Sequence, residues 1–450
     1  MTTLDCELLG DLFGTAEARE LLSSTATAQG WLDAERALAQ AEADVGVIPR
    51  KAAERIAQEC DASSYDLATL GAAITQTKHP LVPLVRALAE RCGEWGAWVH
   101  WGATTQDIMD TGLVLQIRRA LMPIERDAQR ARVAASELAL RHQSVPMAGR
   151  THGQHAVPIT FGLKAASWTD ELERGLDRLA AAREGVLVSQ LWGAAGTLAT
   201  LGESAEAVQA RFAERLGLQR TRAPWHAVRD RLRDLGHALA ELAAADERIA
   251  SEVIRLEATD VAEVAEPATT DHVGSSTMPQ KRNPMTCEYA VATARLMRGS
   301  THVLDQAAAH AHERDMGLWA VEWIAVPQAL ILSAGLADKL AQVLEGLHVD
   351  IERMVANLAA TDGAIMAEAV MMALACKAGH ESAHEIVSAV TRRAQDTGRP
   401  LFELLAEDSR IADALTPSDL ARLGDPRHYL GLAPEVTEAV IQSTTRRAGA

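Results

Sequence analysis

The chain has few aromatics and few cysteines. Phe, Trp and Tyr make up only 4% of its 450 residues, and alternating β-branched runs are nearly absent, which removes the usual material of a sandwich or barrel. Its five cysteines, Cys6, Cys60, Cys92, Cys287 and Cys376, are scattered and odd in number. They suggest neither a disulfide framework nor a paired-cysteine metal knuckle, and they fit a reducing cytoplasm. A basic excess is also missing. With 44 Lys and Arg against 61 Asp and Glu, the net charge is −17, which argues against nucleic acid or an anionic membrane as partner. The start, Met1 to Gly10, carries Asp5 and Glu7 and lacks a basic-then-apolar pattern, so no signal peptide is expected. The apolar stretch Ala364 to Cys376 contains Glu368 and is too short to span a bilayer; it reads as a buried helix.

What the chain has in abundance is alanine and leucine at helical spacing. A composition of 48% hydrophobic and 23% charged residues supports a large core and two or three domains. Trp31, Leu32, Ala34, Leu38 and Ala41 recur at helical steps between Ser24 and Asp44, and Gly46 with Pro49 closes that segment. Val228, Leu232, Leu235, Leu239, Leu242, Ile249, Val253 and Leu256 form a heptad-like seam, roughly 40 Å long at 1.5 Å per residue. A helix is also expected from Met285 to Gly299. Helix is the default expectation almost throughout, so the fold class is all-α. Residues 1–102, 103–351 and 352–450 are the expected helical domains.

Five polar runs interrupt this pattern. Gly274-Ser275-Ser276-Thr277-Met278-Pro279-Gln280-Lys281-Arg282-Asn283-Pro284 combines small residues, two hydroxyls, a cation and an amide, which suits an anion. Ser275 and Ser276 can accept a proton if backbone N–H groups and a cation support them, while Lys281 and Asn283 can hold a carboxylate. Composition alone would equally allow a mobile linker. His100-Trp101-Gly102-Ala103-Thr104-Thr105-Gln106-Asp107 opens a helix; its threonines can cap that helix or donate to a carboxylate. Thr77-Lys78-His79-Pro80 sets a histidine beside a proline that starts the next helix. Gly149-Arg150-Thr151-His152-Gly153-Gln154-His155 holds two histidines three apart, yet no cysteine or acid lies close by to complete a metal set. His380-Glu381-Ser382-Ala383-His384 is a formal zinc-protease pattern, with Glu403 at a tolerable distance. Ile386, Val387 and Val390 continue an amphipathic helix through it, which leaves a zinc hydrolase as the remote reading.

The run from Gly274 to Pro284 resembles the signature loop of the fumarase/aspartase superfamily, in its adenylosuccinate lyase and carboxymuconate cycloisomerase branch, and the resemblance extends over nearly the whole chain. It implies three helical domains around a central bundle of long helices, shared by four chains in a homotetramer. It also implies active sites assembled from three subunits, a small anionic dicarboxylate substrate and no cofactor or metal. Carried onto this sequence, the catalytic base is Ser275 and the general acid His152, oriented by Glu288. Substrate-binding positions are Thr104, Thr105, His79, His100, Thr151, Gln154, Ser276, Lys281 and Asn283. The implied reaction is β-elimination from a succinyl-type substrate, breaking a carbon–nitrogen or carbon–oxygen bond to release fumarate or a related acid.

Two departures bear on that reaction. Where adenylosuccinate lyases hold a nucleotide phosphate with serines and an arginine, this chain reads Gly317-Leu318-Trp319-Ala320-Val321-Glu322-Trp323, which argues against a phosphate ligand and resembles the cycloisomerases. The well-known bacterial cycloisomerase of the branch has tryptophan at the position of His152, however, and here the histidine is kept. The elimination reading is therefore preferred, with Trp319 and Trp323 expected to shape the leaving-group pocket. A lactonising 3-carboxy-cis,cis-muconate cycloisomerase is the alternative.

Overall fold

The computed structural model describes residues 8–267, 277–278 and 280–448. Its helices follow the capping chemistry of the sequence. α1 (Ser24–Val45) opens where the Ser23 hydroxyl accepts the Ala26 N–H at 3.2 Å, and it closes on Gly46 at φ 83°. α2 (Arg50–Glu59) follows Pro49, α3 (Leu67–Thr77) starts on an Asp66 cap, and α4 (Val82–Cys92) carries Pro83 in its first turn. α4 thus begins two residues beyond Pro80, the proline expected to start it.

Then come α5 (Thr105–Arg141), the strands β1 (Pro146–Thr151) and β2 (Gln154–Thr160), α6 (Phe161–Val186), α7 (Ala205–Leu216) and α8 (Asp230–Glu257). β3 (Val264–Ala265), α9 (Met285–Gln306), α10 (Met316–Gly346) and β4 (His348–Val349) follow. α11 (Ile351–Ala359), α12 (Ala367–Ala378), α13 (His380–Thr397), α14 (Leu401–Glu407), α15 (Pro417–Leu423) and α16 (Ala433–Ala448) complete the order used here. The fold is all-α. Among the described residues the sheets are two antiparallel pairs, β1 with β2 and β3 with β4.

The chain divides into two compact units, one of Met1–Gln129, Gly175–Glu247 and Tyr289–Lys339, the other of Arg130–Arg174, Arg248–Glu288 and Leu340–Ala450. In the first, Leu32, Leu38, Ile56, Leu84, Leu88 and Ile108 form a continuous core. There α1 and α5 approach backbone to backbone: a Cβ on Gly30 would stand 3.0 Å from the Gly112 carbonyl oxygen, tighter than an ordinary contact, so a larger residue would push the two helices apart. In the second, Val370, Leu374, Val387, Val390, Leu401 and Leu404 form the core of α12, α13 and α14.

The seam on α8 is buried at Leu232, Leu235, Leu239, Leu242, Ile249, Val253 and Leu256, but Val228 is 56% exposed. Val228 precedes the helix and bridges to Ala309, so it does not belong to the seam. α9 runs seven residues beyond the expected Gly299, to Gln306. The stretch from Ala364 to Cys376 is a short 3₁₀ turn leading into α12, with Ile365, Met366, Ala369, Val370 and Leu374 buried. The chain's most apolar long helix is instead α10, which by length and composition could cross a membrane, although 67% of its apolar window is buried within the chain.

One charge-bearing side chain lies in the first core without compensation. Glu42 on α1 is fully buried, and neither of its carboxylate oxygens has a hydrogen-bond partner among the described residues. Burial, reinforced by the Glu35 carboxylate, pushes its carboxyl up to about 9. The folded state therefore holds a proton that the unfolded chain releases near pH 4.3, and stability from this residue falls as pH rises between those values. Relative to wild type, Glu42→Gln should gain on the order of 4 kcal/mol between pH 5 and pH 8. Chemical denaturation at both pH values checks this, and a pH-independent difference would overturn it.

Candidate active site

In the first unit the site grows from the N-terminus of α5. His100 and Gly102 sit in left-handed backbone, with φ of 58° and 71°, a turn that histidine tolerates better than a branched residue would. The His100 Nδ1 lies 2.6 Å from Oε1 of Glu35, itself only 2% exposed. Burial works against charge on this imidazole, but Glu35 outweighs it by charge and hydrogen bond, with a further pull from Asp107, and holds it above its ordinary value.

Asp107, fully buried on the first turn of α5, gathers four donors. Its carboxylate accepts the backbone N–H groups of Thr104 at 3.0 Å, Trp192 at 2.9 Å and Gly193 at 2.9 Å, and Nε2 of His226 at 2.8 Å. One turn on, Asp110 takes both terminal nitrogens of buried Arg229, at 2.7 and 3.0 Å, while Glu322 on α10 takes Arg229 from its other side. Thr104 caps the helix and turns its hydroxyl to Arg314, whose Nη2 donates to it at 3.1 Å and whose Nε donates to Gln106 at 2.9 Å. Thr105 is half-buried, and its hydroxyl has no partner among the described residues. The N-terminus of α5 thus offers a hydroxyl, a guanidinium and the positive end of a helix dipole, a combination that suits a carboxylate.

His79 stands apart from this group. Its Nδ1 accepts the Val82 N–H at 3.4 Å, a weak cap on α4, and no hydrogen bond ties it to His100 or Thr104 among the described residues.

In the second unit, residues 146–160 form an antiparallel hairpin. Thr151 pairs with Gln154, and the two loop residues His152 and Gly153 have φ of 53° and 75°, the left-handed pair of a type I′ turn. Thr151, His152 and Gln154 are all exposed at its tip. Its root is fixed by Arg150, which donates to both oxygens of fully buried Glu263 at 2.8 and 2.7 Å, while Asn357 on α11 donates to the same carboxylate at 2.8 Å. His155, opposite Arg150, keeps a buried Nδ1 without a partner. Burial and Arg150 lower its tendency to charge.

Ser275 and Ser276 lie outside the described residues. Lys281 is exposed and Asn283 half-buried, on the extended run that enters α9. The N-terminus of α9 is capped from a distance by Glu266, whose carboxylate accepts the Thr286 and Cys287 N–H groups at 3.1 and 2.6 Å. Glu288 is exposed on the first turn of α9 and forms no hydrogen bond to His152 within the chain.

Comparison with known proteins gives the family. A lyase family profile matches residues 14–299, and an adenylosuccinate lyase C-terminus profile matches residues 363–440. The chain belongs to the fumarase/aspartase superfamily, in the adenylosuccinate lyase-like branch. It is 42% identical over 439 residues to a 3-carboxy-cis,cis-muconate cycloisomerase of Pseudomonas aeruginosa, covering 97% of this chain and 96% of that one. It is 37% identical to an N-acetyl-S-(2-succino)cysteine lyase of Dickeya dadantii, covering 98% and 97%. The 3-carboxy-cis,cis-muconate lactonizing enzyme from Pseudomonas putida superposes with a TM-score of 0.93 at 37% identity, covering 98% of this chain and 99% of that structure. The protein is therefore an enzyme of the superfamily.

Placed in the superfamily, two expectations change. Trp319 does not line an open pocket: it is 2% exposed, and its indole N–H donates to Asp110 at 2.9 Å. Trp323 packs edge-on against it at 4.9 Å, so the pair reads as core beneath the α5 terminus. The HExxH run is the exposed start of α13, with Ala383, Val387 and Val390 facing the core. Glu403 bonds Arg399 at 3.4 Å, and among the described residues no three His, Cys, Asp or Glu side chains gather as a metal set. Arg314, Asp107, His226 and Glu263 were not singled out from the sequence, although Asp107 closes the run that begins at His100.

The pairing of Glu35 with His100 can be tested by pH. The folded imidazole sits above its unfolded value, so the pair stabilises the fold fully below about pH 6.5 and loses that contribution as pH rises through the folded value. The stability gap between wild type and Glu35→Gln, read by denaturant melts, should therefore shrink from pH 6 to pH 9. A gap that widens would overturn the pairing.

Proposed function

We propose that the enzyme is a lyase performing β-elimination on a succinyl-type dicarboxylate. Ser275 removes the proton beside a carboxylate, and the electron pair passes onto that carboxylate as an aci-carboxylate. Lys281, Asn283 and Thr104 or Thr105 stabilise the resulting dianion. Collapse forms the carbon–carbon double bond and expels the leaving group, which takes a proton from His152. Fumarate or a related unsaturated acid departs.

The observation that carries this reading is the hairpin tip. His152 projects from a two-residue turn whose root is locked by the Arg150–Glu263 pair. Its imidazole is exposed and forms no hydrogen bond among the described residues, which leaves it available to a leaving group. Histidine, with an ordinary pKa near neutrality, suits proton donation at that point. Glu288 orients this imidazole, and a homotetramer with shared sites supplies the partners that one chain does not bring to it. The Dickeya relative, named for a succinylated cysteine, extends the candidate leaving groups from nitrogen and oxygen to sulfur.

Lactonising cycloisomerisation is the second reading, favoured by the 42% identity to the Pseudomonas aeruginosa cycloisomerase. Proton NMR of the enzyme with fumarate and a panel of amines and thiols, beside a parallel sample of 3-carboxy-cis,cis-muconate, separates the two. Adducts across the fumarate double bond are expected. Lactone from carboxymuconate with fumarate untouched would replace elimination by the second reading. Ser275→Ala should lower kcat by about 10²–10⁴-fold, the ordinary range for losing a general base, with an unchanged circular dichroism spectrum. Full activity in that variant would remove Ser275 from the mechanism.

A further inference from the structure

Four arginines from three helices of the first unit line one hollow of about 380 Å³: Arg36 on α1, Arg118 and Arg119 on α5, and Arg215 on α7. Two carboxylates answer them. Asp33 accepts from Arg36 and, at 3.0 Å, from Arg119; Asp44 accepts from Arg215 at 3.1 Å. Arg118 reaches no carboxylate among the described residues. Its Nη1 donates to the carbonyl oxygens of Leu216 at 2.7 Å and Gly217 at 3.4 Å, at the C-terminal end of α7.

Four guanidiniums against two bonded carboxylates leave an excess of two positive charges, in a chain whose net charge is −17. Burial and the neighbouring Arg119 hold Arg118 below the ordinary guanidinium value, as expected where like charges are crowded. Here the Nε and Nη2 of Arg118 and the Nε and Nη1 of Arg119 have no partner among the described residues. Planar guanidinium forks match carboxylate and phosphate oxygens, and the volume lies at the small end of ligand pockets, roughly 300–1,000 Å³. A compact anion fits it better than a nucleotide does.

We propose that this hollow binds a small oxyanion carrying two or more negative charges, clustered as phosphate or carboxylate groups. Arg118 lies thirteen residues along α5 from Thr105, roughly 20 Å at 1.5 Å per residue, so the hollow is distinct from the cradle at the helix terminus. Binding there does not depend on which reaction the enzyme runs.

Isothermal titration of the full-length enzyme with sodium pyrophosphate, and separately with citrate, tests the site against sodium chloride at matched ionic strength. At least one probe should bind saturably, one per chain, and Arg118→Gln/Arg119→Gln should weaken it at least tenfold. Saturation by pyrophosphate alone assigns a phosphate ligand, and by citrate alone a polycarboxylate. Arg118→Lys, which keeps the charge but loses the fork, gives a milder change with an intact fold and should still weaken binding measurably. Lys281→Ala should leave it unchanged. Failure of both probes to bind beyond the chloride control would overturn the proposal. So would binding that survives the double variant or disappears in Lys281→Ala.

Discussion

The N-terminus of α5 is held by two buried carboxylates, and much of the first unit is arranged around satisfying them. Asp107 and Asp110 stand three residues apart, hence on one face of the helix. A buried carboxylate is tolerable only when its oxygens are filled. Asp107 fills them with two backbone N–H groups from the segment before α7, the Thr104 N–H and His226; Asp110 does so with Arg229 and the indole of Trp319. Donors from four separate stretches of chain are thereby brought to one helix end. Thr104, Thr105 and Arg314 inherit their positions from that convergence. The charge pairs are thus as much part of the site as the groups that would touch a substrate.

This explains which parts of the molecule were legible in the sequence. Period and punctuation are local, so α1 with its Gly46 end could be read directly, as could the α8 seam apart from Val228, whereas the Ser23 cap was seen only in the structure. The identity of the Gly274–Pro284 run, and through it the family, was also local information. The hairpin was not, because its turn is His-Gly rather than the stronger Asn-Gly signal and its strands carry few β-branched residues. Nor were the pairings of Glu35 with His100 or of Arg150 with Glu263, which join residues 65 and 113 positions apart. Trp319 was misread for a related reason: a tryptophan in a motif looks like a pocket wall until a buried acceptor such as Asp110 is known to hold its indole.

The histidines show how little a residue type says without its surroundings. His100 is paired with a carboxylate and held toward charge; His310 has a fully buried ring, and burial with the nearby Arg229 holds it toward neutrality. His226 completes the shell of Asp107. His152 alone among these four is displayed on an exposed turn, and only there can an imidazole exchange its proton with a molecule that arrives and leaves.

The exposure of the second unit's groups carries a further consequence for the proposed elimination. An aci-carboxylate needs fixed donors in a site from which water is excluded, because in water the same donors are worth far less. Yet His152, Lys281 and Glu288 are all exposed on the isolated chain. The reaction therefore calls for something to cover them. Further copies of the same chain meet that need most economically, since each brings its own α5 terminus with Thr104, Thr105 and Arg314. Exclusion of water from these groups is thus a chemical requirement of the proposed reaction.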